Sequence, residues 1–131
     1  MARTITTPIQ KRFSDVDIFL HVNNVAQQMY FDVGKTEYYR AVLGEDVLSG
    51  SLRVVMVSSK SDYISQIRFS DEVLVSTTCE RVGNKSLTLH QQMYVGERLC
   101  SENRSVMAVF DFDQQKSVPL PDEWRTKLTA Q

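Results

Sequence analysis

The stretch RFSDVDIFLHVNN, residues Arg12 to Asn24, decides how the rest of the chain is read. Asp15, Asp17, His21, Asn23 and Asn24 are interleaved there with Ile18, Phe19, Leu20 and Val22. A surface loop seldom carries so much apolar bulk, and a buried strand would leave Asp17 and His21 in need of partners. The segment reads as an irregular, tightly held loop that gathers acids, an imidazole and amides on one short piece of chain.

Outward from it, the pattern changes period. In VAQQMYFDVGKTEYYRAVLG the residues Val25, Met29 and Val33, then Glu37 or Tyr38, Ala41 and Val42, recur at three- and four-residue steps, as on one face of a helix. Asn23 or Asn24 suits the N-cap and Gly44 the position just past the C-terminus, so both ends are marked. The spacing predicts about twenty residues, roughly 30 Å of helix at ~1.5 Å per residue.

On the other side, Thr4 to Phe13 reads as a first strand, with Pro8 confining it to an edge or a bulge. After residue 50 the chain turns to β-rich stretches: LRVVMVSS, SDYISQIRF, EVLVSTTCERV, SLTLHQQMYV and RLCSENRSVMAVFDF, with turns at Gly83-Asn84 and Gly96-Glu97. In SLTLHQQMYV, Leu87, Leu89, Gln91, Met93 and Val95 share one face, while His90 falls on the other, solvated one. PLPDEWRTKL predicts a short closing helix. One strand, one long helix and about five hairpin-linked strands make an α+β layer, a single domain over residues 1–131. One helix covers only part of such a sheet, so a sheet surface or edge is expected to pair with another chain.

Composition narrows the function. Lys plus Arg number 15 and Asp plus Glu 16, without the basic surplus that a nucleic-acid partner requires. No apolar run is long enough for a membrane span and no signal-peptide pattern opens the chain, so the expected location is the cytoplasm. Cys79 and Cys100 are then expected to be free thiols. No cluster of residues suggests a metal site.

Phe13, Asp15, Asp17, His21, Val22, Asn23 and Asn24, followed by a capped helix carrying MYFD and KTEYYR, resemble the hotdog-fold acyl-CoA thioesterases of the 4-hydroxybenzoyl-CoA thioesterase-like branch. Tyr63 and Asp71 in SDYISQIRFSDEVLV fit the same family, and the resemblance runs from about residue 4 to 120. It implies a central helix wrapped by a five- to six-stranded antiparallel sheet. It also implies a homodimer, or a tetramer of paired dimers, with each active site between subunits. The substrate it implies is a small-molecule acyl thioester of coenzyme A or a carrier protein, hydrolysed without a metal or redox cofactor.

By the same resemblance Asp17 is the catalytic carboxylate, either nucleophile or general base. A thioester needs an attacking oxygen and a holder for the developing oxyanion. The helix start at Asn23, Asn24 and Val25 offers unpaired N–H groups for the second role. Asp15 is assigned to fixing the loop. Leu20, His21, Gln27, Ser58 and Ser59 are expected to line the substrate site, and Lys60, Arg68 and Lys85 are candidates for phosphate. Two positions depart from the family: Leu20 stands where Gly is usual, and Gln27 where Tyr is usual. They keep open the alternative of a hotdog protein that binds acyl thioesters, or serves in assembly, without turning them over.

Overall fold

A computed structural model describes residues 2–131. Strand β1 (Thr4–Ile9) leads through a short 3-10 turn (Phe13–Asp15) to helix α1 (Asn24–Leu43). A second 3-10 turn, Glu45–Leu48, is followed by β2 (Leu52–Tyr63), β3 (Val73–Val82), β4 (Ser86–Val95) and β5 (Arg98–Asp111). The two-residue β6 (Lys116–Ser117) and helix α2 (Asp122–Thr129) close the chain. The sheet is antiparallel in the order β1-β3-β4-β5-β2, with β6 paired to the end of β5. It curls around α1, which is the hotdog arrangement.

The helix has the predicted span and caps, but the face read from the spacing is not the buried one: Val25, Met29, Val33 and Ala41 are exposed, and only Tyr38 and Val42 of that set are buried. Asn23 caps it, its Oδ1 accepting from Ala26 N–H at 2.8 Å, and Gly44 ends it at φ 95°, a conformation few other residues hold cheaply. Its buried face, Phe31, Gly34 and Tyr38 among others, lies on the sheet. Gly34 is where helix and sheet approach most tightly, since an added Cβ would sit 2.7 Å from Val75 Cγ1. Pro8 occupies an edge strand, where its missing N–H leaves no gap in the ladder. The alternation read along β4 holds: Leu87, Leu89, Gln91 and Met93 are buried, and His90 faces outward against Glu102.

Two strand expectations are corrected: the first strand stops at Ile9 instead of reaching Phe13, which lies in the 3-10 turn, and the stretch after residue 50 divides differently. LRVVMVSS and SDYISQIRF are not two strands. The first runs on through Tyr63 as the single strand β2, with a register shift between Met56 and Ser58. Ile64 to Glu72 then leaves the sheet, its backbone held by Ile64 and Ser65 N–H donating to Cys100 O, by Ile67 O accepting from Val22 N–H and by an isolated bridge from Arg68 to His21. The alternation of Ile64, Ile67 and Phe69 mimics a strand, but only Ile67 is buried. The irregular loop that results packs beside Arg12–Asn24 and builds one wall of the site.

The core has two parts. Tyr38, Val42, Leu43, Leu87, Leu89, Met107, Val109 and Leu128 fill the end toward the C-terminus of α1. Val22, Ala26, Tyr30, Phe31, Ile67, Val75 and Met93 fill the end toward its N-terminus. Between them runs a buried polar row, in which Gln91 Nε2 donates to Thr77 Oγ1 and to the Phe31 carbonyl, and Asn103 Nδ2 donates to Ser59 and Ser61. Cys79 and Cys100 are free and buried, and burial pushes the Cys79 thiol up to about 11, so neither is a reactive thiolate.

Candidate active site

The loop before α1 is a tight hairpin. Val16 and Val22 form an antiparallel bridge, Asp17 N–H donates to His21 O at 2.9 Å, and Leu20 N–H donates to Asp17 O at 3.0 Å. A turn of three residues then has to close with one left-handed residue, the position that normally selects glycine. Leu20 holds it at φ 64°. This chain therefore reaches the same kind of backbone with a leucine, at a conformational cost of roughly 1–2 kcal/mol.

Asp15 anchors the hairpin from beneath. Its buried carboxylate accepts from Tyr30 Oη at 2.6 Å and from Arg12 N–H at 2.9 Å, with the Arg12 guanidinium beside it. Burial alone would raise the carboxyl, but the Tyr30 hydroxyl and the two Arg12 contacts outweigh it and leave it below its ordinary value. The Tyr30 hydroxyl is in turn raised, by its own burial and by the neighbouring carboxylate. Asp15 is thus ionised and fully engaged as a fastener.

Asp17 has the opposite surroundings. Its carboxylate is exposed and Oδ1 accepts from Phe19 N–H at 2.8 Å and His21 N–H at 3.3 Å, while Oδ2 has no donor among the described residues. That fixes the side chain and leaves one oxygen available. The carboxylate lines a cleft of about 710 Å³ together with His21, Asn23, Asn24, Val25, Gln27 and Tyr63. At its floor α1 begins. Asn23 uses its side chain for the cap, and the N–H groups of Asn24 and Val25 find no acceptor among the described residues. They are free donors at the positive end of a twenty-residue helix. Gln27 is buried, yet its Oε1 finds no donor among the described residues, so an acceptor is left over within the cleft lining.

The structure brings six of the sequence candidates, Asp17, His21, Asn23, Asn24, Val25 and Gln27, into one cleft. It does not bring in the other three. Leu20 points to an adjoining apolar groove with Phe19 and Phe69. Ser58 and Ser59 lie along edge strand β2, where Ser59 Oγ accepts from Asn103. Tyr63, Ile64, Ser65 and Gln66 line the cleft without having been singled out for it by the sequence. Their signal is the apolar-polar mixture that reads as a strand.

A family model described as the thioesterase-like superfamily matches residues 12–128. The uncharacterized protein YsmA of Bacillus subtilis (strain 168) is 30% identical over 126 residues, covering 92% of this chain and 82% of that protein. Among solved structures, a predicted thioesterase from Bacillus stearothermophilus is 31% identical with a TM-score of 0.86, covering 96% of this chain and 94% of its own. A thioesterase from Thermus thermophilus, complexed with coenzyme A and zinc, has a TM-score of 0.83 over 94% of this chain and 90% of its own; at 22% identity it attests to the fold alone. The chain belongs to the thioesterase-like superfamily, and thioester hydrolysis is the activity class that this membership supports.

Proposed function

We propose that the chain hydrolyses an acyl thioester in the cleft between the Asp17 hairpin and the start of α1, with Asp17 as general base. The observation that carries this is one carboxylate oxygen without a donor in the same cleft as two helix N–H groups without acceptors. Asp17 takes a proton from water, and the water oxygen bonds to the thioester carbon. The carbonyl oxygen becomes an oxyanion held by Asn24 and Val25 N–H. Collapse breaks the carbon–sulfur bond, and the departing sulfur takes up the proton. Protein groups and water balance this reaction, so the proposal includes no metal or redox cofactor.

The working unit we propose is a homodimer formed through β2, a substrate site being completed across it. That edge strand runs for twelve residues and exposes Met56 and Val57, the kind of unpaired apolar edge that a second copy covers. Ser58 and Ser59 would then serve a neighbouring cleft rather than their own.

Turnover of acyl-CoA and acyl-pantetheine esters of graded length, read by thiol release, tests the activity. Steady hydrolysis of at least one series is expected. Binding without turnover throughout would favour the non-catalytic hotdog protein. Sedimentation at low micromolar concentration should give a dimer, and a fully active monomer would overturn the shared site.

A further inference from the structure

Most of the buried face of α1 is apolar, but one flank of it is not. Gln28, Asp32, Lys35 and Tyr39 recur at steps of four, three and four residues and so form one stripe along the helix. Gln28 shows which way the stripe faces. Its Nε2 donates to Ser61 Oγ at 2.5 Å and to Tyr63 Oη at 2.8 Å, both on β2. Tyr63 also lines the thioester cleft. Behind Ser61 stands Asn103, whose Nδ2 donates to it at 2.7 Å and whose Oδ1 accepts from Ser105 Oγ at 2.5 Å. From the cleft, a seam of hydroxyls and amides therefore runs between α1 and the β5–β2 side of the sheet.

Farther along the same stripe, two donors lack acceptors. The Lys35 side chain is only 5% exposed, and its Nζ lies 3.6 Å from Asp32, just beyond hydrogen-bond reach. It meets no other acceptor among the described residues. Tyr39 Oη, one helical turn on, is buried and has no partner among them either. Burial lowers the Lys35 ammonium, which Asp32 only partly offsets, and burial raises the Tyr39 hydroxyl.

An ammonium taken out of water is costly unless its hydrogens are engaged. Asp32 does not engage them, since its side chain stays 67% exposed on the solvent side of the stripe. Two neighbouring donors, one of them charged, thus match an anionic acceptor that the chain does not itself supply.

We propose that the acyl group of the substrate ends in a carboxylate, seated by Lys35 Nζ and Tyr39 Oη, with the polar seam as its path from the thioester. This rests on the proposed hydrolysis at Asp17 and adds to it the class of acyl group, an ω-carboxyacyl chain. Asn24 and Lys35 stand about 16 Å apart along α1 at ~1.5 Å per residue, and the Lys35 side chain leans back toward the N-terminus. A chain of medium length spans what remains, and a short one does not. The flexible stem of the lysine lets its ammonium turn onto the incoming carboxylate. An alkyl end would cross a polar seam and leave both donors unpaired. A hydroxyl end would leave the ammonium's charge uncompensated.

The test is calorimetric titration of the whole protein with non-hydrolysable coenzyme A thioethers, S-alkyl and S-(ω-carboxyalkyl), of matched and graded length. kcat/KM is measured beside it for the corresponding thioesters. At a medium length the carboxylate-ended thioether should bind about tenfold or more tightly than its alkyl counterpart, and at the shortest length the two should bind alike. Lys35→Met should abolish that preference and strengthen alkyl binding, with the melting temperature unchanged or raised. Tyr39→Phe should remove part of the preference, and it carries the same test should Lys35→Met fail to fold. Equal binding of the two series at every length overturns the proposal. So does either variant weakening both series alike, which would make the stripe merely structural. Thioester hydrolysis with no preference between the series keeps the reaction and loses the carboxylate seat. A carboxylate preference in binding without hydrolysis of any ester keeps the seat and loses the reaction.

Discussion

The two ends of α1 are built for different purposes. Around its C-terminal half, Tyr38, Val42 and Leu43 meet Leu87, Leu89, Met107, Val109 and Leu128, all of them at most 6% exposed. Around its N-terminus, Phe13, Ile18, Phe19, Leu20 and Val25 stand more than half exposed, on or beside a hairpin with a strained leucine. Dispersion and apolar burial reward the first end, with roughly 1.5–3 kcal/mol for each large side chain taken from water. The second end has a buried cluster of its own, with Phe31, Ile67 and Met93 in it, but the hairpin above that cluster forgoes burial and keeps open donors and one open carboxylate oxygen instead. Both ends are packed, but the candidate chemistry is confined to the exposed hairpin at one of them, and the buried polar row through Thr77, Gln91 and Asn103 lies between the two cores.

If this division is right, damage at the core end should change stability without changing chemistry. Leu89 is fully buried, and Leu89→Ala should cost about 2–5 kcal/mol. Chemical denaturation measures the loss, and kcat per folded molecule should stay within about twofold of the parent. A large fall in kcat at a temperature where the variant is folded would break the separation.

Gly34→Ala probes the boundary. Alanine favours a helix over glycine by about 1 kcal/mol, but its Cβ would collide with Val75 and Gln91, an overpacking that costs about 1–3 kcal/mol. A net loss of stability is expected by denaturant titration. A net gain would mean the helix can lift off the sheet.

Tyr30→Phe reaches the hairpin from below by removing one donor to Asp15. The loss should be about 1–3 kcal/mol at neutral pH. The sign follows from linkage. Asp15 is depressed in the fold, so the stability its ionised form contributes is present above the ordinary value of 3.8 and is lost as pH falls through the lower folded value. The stability difference between parent and variant should therefore shrink at pH values below about 3.8. A difference independent of pH would assign the Tyr30 effect to packing.

The helix and its caps were legible because local chemistry fixes them: Asn23 and Gly44 do at the ends what their side chains, or the lack of one, permit. The hairpin strands were legible from alternation that burial enforces. The segment from Ile64 to Glu72 was not, because its apolar residues are spaced like a strand while its backbone is drawn to Cys100 O, His21 and its own turn. Those to Cys100 and His21 are long-range contacts that no local window contains. At the site, Asp17 and the helix start could be named from the motif. The direction of Leu20 could not, since its left-handed φ depends on closure of the turn onto Asp17. For Ser58 and Ser59, position along an edge strand mattered more than residue type.

The central claim is that the exposed end works through Asp17, and Asp17→Asn tests it most directly. Asparagine keeps the shape and an oxygen for Phe19 and His21 N–H but is a poor proton acceptor. With an acyl-CoA that the parent turns over, kcat should fall about 10²-fold or more while the melting temperature stays at the parent value. An intact variant whose kcat remains within a few-fold of the parent would contradict the account.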